Sequence, residues 1–473
     1  MRKRIRGWRG WLAAVALLAA LLVNMFLMFF RSDVVYCPHD AQWIISSEDF
    51  PAFYRNLLKT DLAKAVNDEA PEHYAAWQLA VRQDTGIRPT PLRWRVWLGR
   101  RLFAAVSENG WGACVRPGML LRVADTLRGV GHWRPAVRQF GPYYYAWRGG
   151  ALIFSCSEKY VLNALRAQPC DSPLGGPFSD ELWVYETQAA RFALRIRPSR
   201  HIHVSGWLEG GQLAARQSPL GLDSPPEDAA IAWAAASTPK DLRVLAEAVW
   251  RALDRHARVS VRPWFQALKD LAQKAVSSWS LDALSPNWDQ QLTECSLLLF
   301  DVDDSEPLPV PEIGLVLRSN KVAGGSHPLE SITNSGPRLP YEWDGHPGIV
   351  APRAGEKAAI CLTSSGADWL AASQEPAMAR LIAILQQPTQ QCQVDKSNAV
   401  VAVNWTKAAA RAQPLARKAA ALELFSGLNS TDLEKRVAPL LRALARQGCA
   451  HLHWRQNDGR LEFSGALTGG PAK

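Results

Sequence analysis

Residues 194–210, LRIRPSRHIHVSGWLEG, return near the end of the chain as 452–469, LHWRQNDGRLEFSGALTG. Each stretch reads as a strand, a polar turn and a second strand closing on Ser-Gly-x-Leu-x-Gly, from Ser205 and from Ser464. Leu194 and Ile196, then Ile202, Val204 and Leu208, fall on alternate positions. So do Leu452 and Trp454, then Leu461, Phe463 and Leu467. A period of two is the mark of a half-buried hairpin, with one face in the core and one in water. The same hairpin stated twice, about 260 residues apart, predicts two copies of one domain.

The start of the chain reads differently. Arg2, Lys3, Arg4, Arg6 and Arg9 crowd residues 1–10, and residues 11–30, WLAAVALLAALLVNMFLMFF, hold Asn24 as their only strongly polar side chain. A run of roughly 20 apolar residues matches the hydrocarbon thickness of a bilayer. A secretory signal has a shorter core, about 7–15 residues, and ends in small residues, whereas this run ends in Phe29-Phe30. The expectation is an uncleaved transmembrane anchor at 11–30, a cytoplasmic basic flank at 1–10, a stalk at 31–37, and the rest outside the cytoplasm. That placement is the inner membrane, single-pass, with a periplasmic ectodomain.

The formal charge is +10. Without the five flank charges about +5 is left for more than 400 residues, too diffuse to argue for nucleic acid. Cys37, Cys114, Cys156, Cys170, Cys295, Cys361, Cys392 and Cys449 form no C-x-x-C, so neither a redox motif nor a zinc ribbon is indicated. Buried thiols and structural disulfides both remain open. Cys156 and Cys361 sit in apolar strand patterns and read as small core residues.

Along the chain, the first copy spans 38–216. A strand at 40–47 leads into a helix from Pro51, and a second helix covers 75–82. Residues 90–99 alternate Trp94, Val96 and Leu98 with Arg93, Arg95 and Trp97, which predicts a strand. Residues 102–106 and 111–115 form a hairpin, 119–127 a helix, and 143–147 with 151–156 two strands. Ser157 caps a helix at 158–166, and 182–185 is a strand. A linker at 217–227 is broken by Pro219, Pro225 and Pro226. The second copy, 228–473, repeats the order, with 358–361 answering 151–156, a helix around Trp369-Leu370, and 398–403 answering 182–185. It carries a helical insert at 406–447, with helices at 409–424 and 433–445, which either covers a sheet face or docks a partner helix.

No nucleophile elbow, phosphate loop, H-E-x-x-H or dinucleotide fingerprint occurs. The acid run Asp301, Asp303, Asp304, Glu306 lacks the glycine and terminal glutamate of a calcium loop. His201-Ile-His203 and His451-Leu-His453 place both imidazoles of each pair on one strand face, but no third metal ligand is evident. Arg195 and Arg197 join the first pair, and Arg455 and Arg460 the second, with Glu462 between. The expected binding residues are therefore Arg195, Arg197, His201, His203, His451, His453 and Arg455, on a solvated cationic face that suits an anionic polymer or an acidic protein. No catalytic residue, metal or cofactor is expected. Of the twenty tryptophans, Trp43, Trp183, Trp233, Trp405 and Trp454 sit in apolar patterns and read as core. Trp94, Trp97 and Trp111 lie among arginines and are expected at the surface.

The strand–helix opening, the Tyr-x-Trp-x-Gly turns at 145–149 and 341–345, ALIFSCSEKYVLNAL at 151–165 and the closing hairpin together resemble bacterial single-pass membrane-anchored proteins with tandem α+β repeat ectodomains of unassigned function. The resemblance covers most of the chain beyond the apolar run and implies a bacterial source. The expected fold class is α+β: an N-terminal transmembrane helix, then two copies of a mostly antiparallel sheet covered by helices. The expected function is a non-catalytic scaffold of the cell envelope, held to the membrane by 11–30 and binding an envelope protein, with no nucleic acid. The alternatives are an envelope hydrolase whose site is assembled from distant residues, and a binder of anionic glycan or lipid.

Overall fold

The computed structural model describes residues 35–85, 88–118, 137–148, 150–170, 180–187, 191–209, 212–213, 230–256, 292–303, 310–319, 327, 337–352, 359–386, 397–421 and 433–467. The chain divides into two compact units, Met1–Arg55 with Val81–Ala190, and Asn56–Ala80 with Arg191–Lys473.

In unit one, β1 (Val35–Tyr36) pairs with β8 (Pro169–Cys170). The main sheet is formed by β2 (Ala41–Ser47), β3 (Leu102–Ser107), β4 (Gly110–Val115), β5 (Arg138–Phe140), β6 (Tyr143–Arg148), β7 (Ala151–Ser155) and β9 (Leu182–Glu186). Its antiparallel order is β9-β2-β3-β4-β7-β6-β5. One face is a core of Ile44, Phe103, Ala105, Cys114 and Ile153 beneath Tyr160, Val161 and Ala164 of a helix at Glu158–Arg166. Ser157 accepts from Tyr160 N and begins that helix. Arg148 donates to the carbonyls of Leu165 and Ala167 and closes its far end, satisfying acceptors that the last turn leaves open.

Of the helices, α1 (Phe50–Leu57) up to Arg55, α4 (Pro91–Trp97) and α5 (Glu158–Arg166) belong to this unit, whereas α2 (Asp61–Glu69) and α3 (Pro71–Thr85) up to Ala80 belong to unit two. Helix α4 replaces the strand expected at 90–99. Thr90 accepts from Arg93 N and Pro91 occupies the first helical turn, a cap-and-proline start that outweighs the alternation of Trp94, Val96 and Leu98. Trp94 packs edge-on against Phe50 and Tyr54 and is buried, against expectation.

Unit two holds β10 (Phe192–Pro198), β11 (Ile202–Glu209), β12 (Ala232–Ala236), β13 (Leu292–Asp303), β14 (Val310–Ser319), β15 (Leu339–Trp343), β16 (His346–Pro352), β17 (Ala359–Ser365), β18 (Asp368–Ala372), β19 (Ala399–Asn404), β20 (Cys449–Asn457) and β21 (Arg460–Leu467). Their order is β10-β11-β21-β20-β19-β12-β13-β14-β18-β17-β16-β15. The helices are α6 (Pro239–His256), α7 (Glu375–Gln386), α8 (Trp405–Ala421) and, after a π turn at Leu433–Val437, α9 (Ala438–Ala445). Helix α7 covers one face through Met378, Leu381 and Ile382. Helix α6 crosses the other, packing Leu245 and Ala248 on Leu208, Trp454, Leu461 and Phe463.

Strand β12 lies between β13 and β19 as β2 lies between β3 and β9. Strand β18, beside β14 and leading into α7, holds the place of β7, which is beside β4 and leads into α5. The residues expected in a helix around Trp369-Leu370 are therefore strand, and it is β18 rather than 358–361 that answers 151–156. The linker 217–227, the helix expected at 119–127 and the middle of the insert lie outside the described residues.

The expected fold class is corrected. Nineteen of the strands make large antiparallel sheet, seven in unit one and twelve in unit two. The hairpin β10–β11, expected to end a self-contained first copy, is continued by β21 along its whole length. Among the described residues no helix is long and apolar enough to cross a membrane. The longest, α6 with 18 residues, carries Lys240, Asp241, Arg243, Glu247 and Arg251, charges that a spanning helix excludes. Residues 11–30 lie outside the described residues. The transmembrane anchor, the signal-anchor reading and the single-pass inner-membrane placement are accordingly not retained.

Candidate functional site

The repeated hairpin words are brought together in unit two. Strand β11 pairs antiparallel with β21, Ser205 opposite Ser464, Val204 opposite Gly465, and Gly206 opposite Phe463. The glycine of each Ser-Gly word has a structural reason. A Cβ on Gly206 would stand 2.0 Å from the Ala193 carbonyl oxygen, and one on Gly465 would stand 2.1 Å from that of His451. Both glycines belong to the inward face, where Trp454 and Phe463 pack with ring centroids 5.2 Å apart.

The opposite face of β10-β11-β21-β20 carries the candidate residues, and it runs on through Val400 and Ala402 of β19 into the core that α7 covers. Residues opposite one another in register share a face, so Arg197, His203, Ala466 and His451 form one row across four strands. Arg195, Ser205, Ser464 and His453 form the next. Neither row contains a carboxylate. The third row brings Trp207, Glu462 and Arg455 together, and the fourth Glu209, Arg460 and Asn457. Arg195 donates from Nε to Ser205 Oγ at 3.0 Å, which fixes its guanidinium fork over the sheet. Arg460 lies over the Trp207 ring at 4.1 Å, and Arg191 meets Glu209 at 3.0 Å. His203, Ser464, Arg455 and Glu462 are exposed, while Arg195, Arg197, Ser205, His451 and His453 are half-buried.

Of the seven expected residues, Arg195, Arg197, His203, His451, His453 and Arg455 thus share one continuous face. His201 is half-buried in the β10–β11 turn, where its carbonyl accepts from Ser199. The same turn is fastened by Arg200 to Asp61 at the start of α2, and the carboxyl of Asp61 is held below its usual range, hydrogen bonds from Lys64 and Arg200 outweighing a desolvation that acts the other way. Sequence reasoning missed Ser205 and Ser464 as polar members of the face. The twice-used Ser-Gly word was their signal.

Other polar groups are explained internally. Arg318 makes a fork with Asp368 at 2.8 and 3.1 Å and reaches buried Glu294 at 3.2 Å, across three neighbouring strands. Asp301, in the acid run once compared with a calcium loop, meets Arg411 at 2.6 Å. Among the described residues no group of three or more His, Cys, Asp or Glu is placed to hold a metal ion. Burial pushes the Cys361 thiol up to about 12 and that of Cys295 higher, leaving both as apolar core groups, while Cys156 is exposed at the end of β7. The insert helix α9 packs on α2, Arg442 and Arg446 meeting Glu69 at 3.2 and 2.6 Å. Trp233 and Trp454 are buried, Trp43, Trp183 and Trp405 half-buried, and Trp97 and Trp111 exposed.

No protein-family model matches the chain, and no curated protein matches it. Comparison with solved structures finds one described as crystal form IV of TP0453, 10% identical, covering 51% of this chain and 76% of that one with a TM-score of 0.20. At that score the likeness carries no argument.

Proposed function

We propose that this protein is a non-catalytic binding protein, a scaffold that receives an anionic partner on the β10-β11-β21-β20 face. The observation that supports this reading is the pair of adjacent rows holding Arg197, His203, His451, Arg195 and His453 with serines and alanine between them and no acid. Guanidinium forks and imidazole N–H groups bind carboxylate, phosphate and sulfate through charge-assisted hydrogen bonds. Distributing such groups over four strands favours recognition of an extended surface over the convergence on one reacting atom that catalysis needs.

The test is titration of the full chain with poly-L-glutamate, heparin and, as the opposite-charge control, polylysine, followed by fluorescence anisotropy. The two polyanions are expected to bind and to weaken as salt shortens the screening length to about 8 Å. Replacing Arg195, Arg197 and Arg455 by Gln is expected to abolish most of that binding. Equal binding by the triple variant, with its fold intact by circular dichroism, rejects the reading.

A further inference from the structure

We propose that helix α4 of unit one docks on the surface of an anionic lipid bilayer, an inference independent of the β10-β11-β21-β20 face. The helix has two apolar sides. Trp94 and Leu98 are buried, Trp94 standing edge-on to Phe50 at 5.9 Å and to Tyr54 at 6.4 Å. The Tyr54 hydroxyl donates to the Pro89 carbonyl just before the helix, and Gly118 N donates to the Val96 carbonyl. These contacts seat the helix. Leu92 and Val96 each lie two residues from Trp94, about half a turn round the helix, and so point away from the seat. Leu92 is 74% exposed and Trp97 42%. A surface helix ordinarily turns its polar residues outward, whereas this one holds a leucine and a tryptophan in solvent.

The charges around these side chains define the occupant. Arg88, Arg93 and Arg95 are exposed, and no acid occurs between Arg88 and Arg101. Glu48 and Asp49, which the fold brings to this segment, are taken by Arg101 and Arg100 at 3.0 Å each. Among the described residues no ion pair is made by Arg88, Arg93 or Arg95. Leucine and tryptophan at headgroup depth, with cations beside them on lipid phosphate, are the elements of an interfacial helix. A stable protein partner needs about 800 Å² on each side. The outward ridge of a seven-residue helix, ~10 Å long, offers far less. A bilayer accepts isolated prongs, because the lipids around each one supply the same apolar chains and phosphates. A soluble polyanion would engage the arginines and leave Leu92 and Trp97 in water. The contact is peripheral, and no part of α4 crosses the bilayer.

An NBD fluorophore attached to L92C in the full chain reports on the site itself. K159C on α5 serves as the comparison position, and the parent protein treated with the same reagent as the blank. Vesicles of phosphatidylcholine with about 30% phosphatidylserine, an anionic surface, are expected to shift the position-92 emission to the blue and raise it several-fold. Position 159 is expected to stay unchanged. R93Q/R95Q should weaken the position-92 response about 30-fold, and pure phosphatidylcholine should give a similarly weak one. W97S should weaken it about tenfold, the worth of one large apolar side chain. Circular dichroism checks that each variant is folded. An unchanged position-92 emission, or a response shared by position 159, overturns the proposal. So does a response that is as strong with pure phosphatidylcholine or in R93Q/R95Q. No loss in W97S leaves the arginines as a site for a soluble polyanion and overturns the lipid assignment.

Discussion

His327 shows how one residue couples burial to pH. Its ring meets Trp369 edge-on at 5.1 Å and its Nε2 lies 3.1 Å from the Leu370 carbonyl oxygen. Burial holds its pKa down to about 4, the hydrogen bond to Leu370 opposing only part of that shift. The unfolded chain takes up a proton near the ordinary imidazole value of about 6.5, which the folded site refuses until about pH 4. Stability from this group is complete above the unfolded value and is lost as pH falls through the window from 6.5 to 4, the loss reaching about 2 kcal/mol by pH 5. Urea unfolding at pH 7 and pH 5 is expected to show that loss in the parent and to show most of it removed in His327→Gln. An identical slope in the variant assigns the pH dependence elsewhere.

At the scale of elements, alternation served well where no stronger local signal competed. The hairpins β3–β4, β6–β7, β10–β11 and β20–β21 stand where the period of two placed them. It misled at α4, where Thr90 and Pro91 start a helix too short for its own periodicity to show. It also missed β18, because Trp369, Leu370, Ala371 and Ala372 are apolar on both faces. A strand covered on both sides loses the alternation that marks a half-exposed one. The candidate face was legible as two separate hairpins. Its unity was not, because pairing between β11 and β21 is a long-range register that no local pattern encodes. The Ser-Gly words mark that register, and Gly206 is where it is most exacting. Gly206→Ala places a methyl group against the Ala193 carbonyl and the Phe463 ring, which should force β10 and β11 apart and cost about 2–3 kcal/mol in a urea titration. An unchanged midpoint removes close strand approach as the reason for the word.

For the whole molecule, the consequence is that the site exists only after segments about 260 residues apart have met. Segments Asn56–Ala80 and Arg191–Lys473 form one compact unit, so α2, β10–β11, α9 and β20–β21 are assembled from both ends of the sequence. This dependence can be locked covalently. Ser205 and Ser464 are directly opposed in an antiparallel pair, at the ~4.5–5.5 Å Cα separation of such pairs, which lies within the 4.4–6.8 Å range a disulfide spans. The double variant S205C/S464C is expected to form a bond under mild oxidation, seen as a faster-migrating species on non-reducing electrophoresis and confirmed by peptide mass. Closing so long a loop restricts the unfolded chain, with stabilisation of up to about 5 kcal/mol over the reduced form. The crosslink lies between Arg195 and His453 in the same row, so polyanion binding should fall even as stability rises. If the two cysteines stay reduced while each single variant folds normally, β11 and β21 are not partners, and the two hairpins would have to bind, if at all, as separate surfaces.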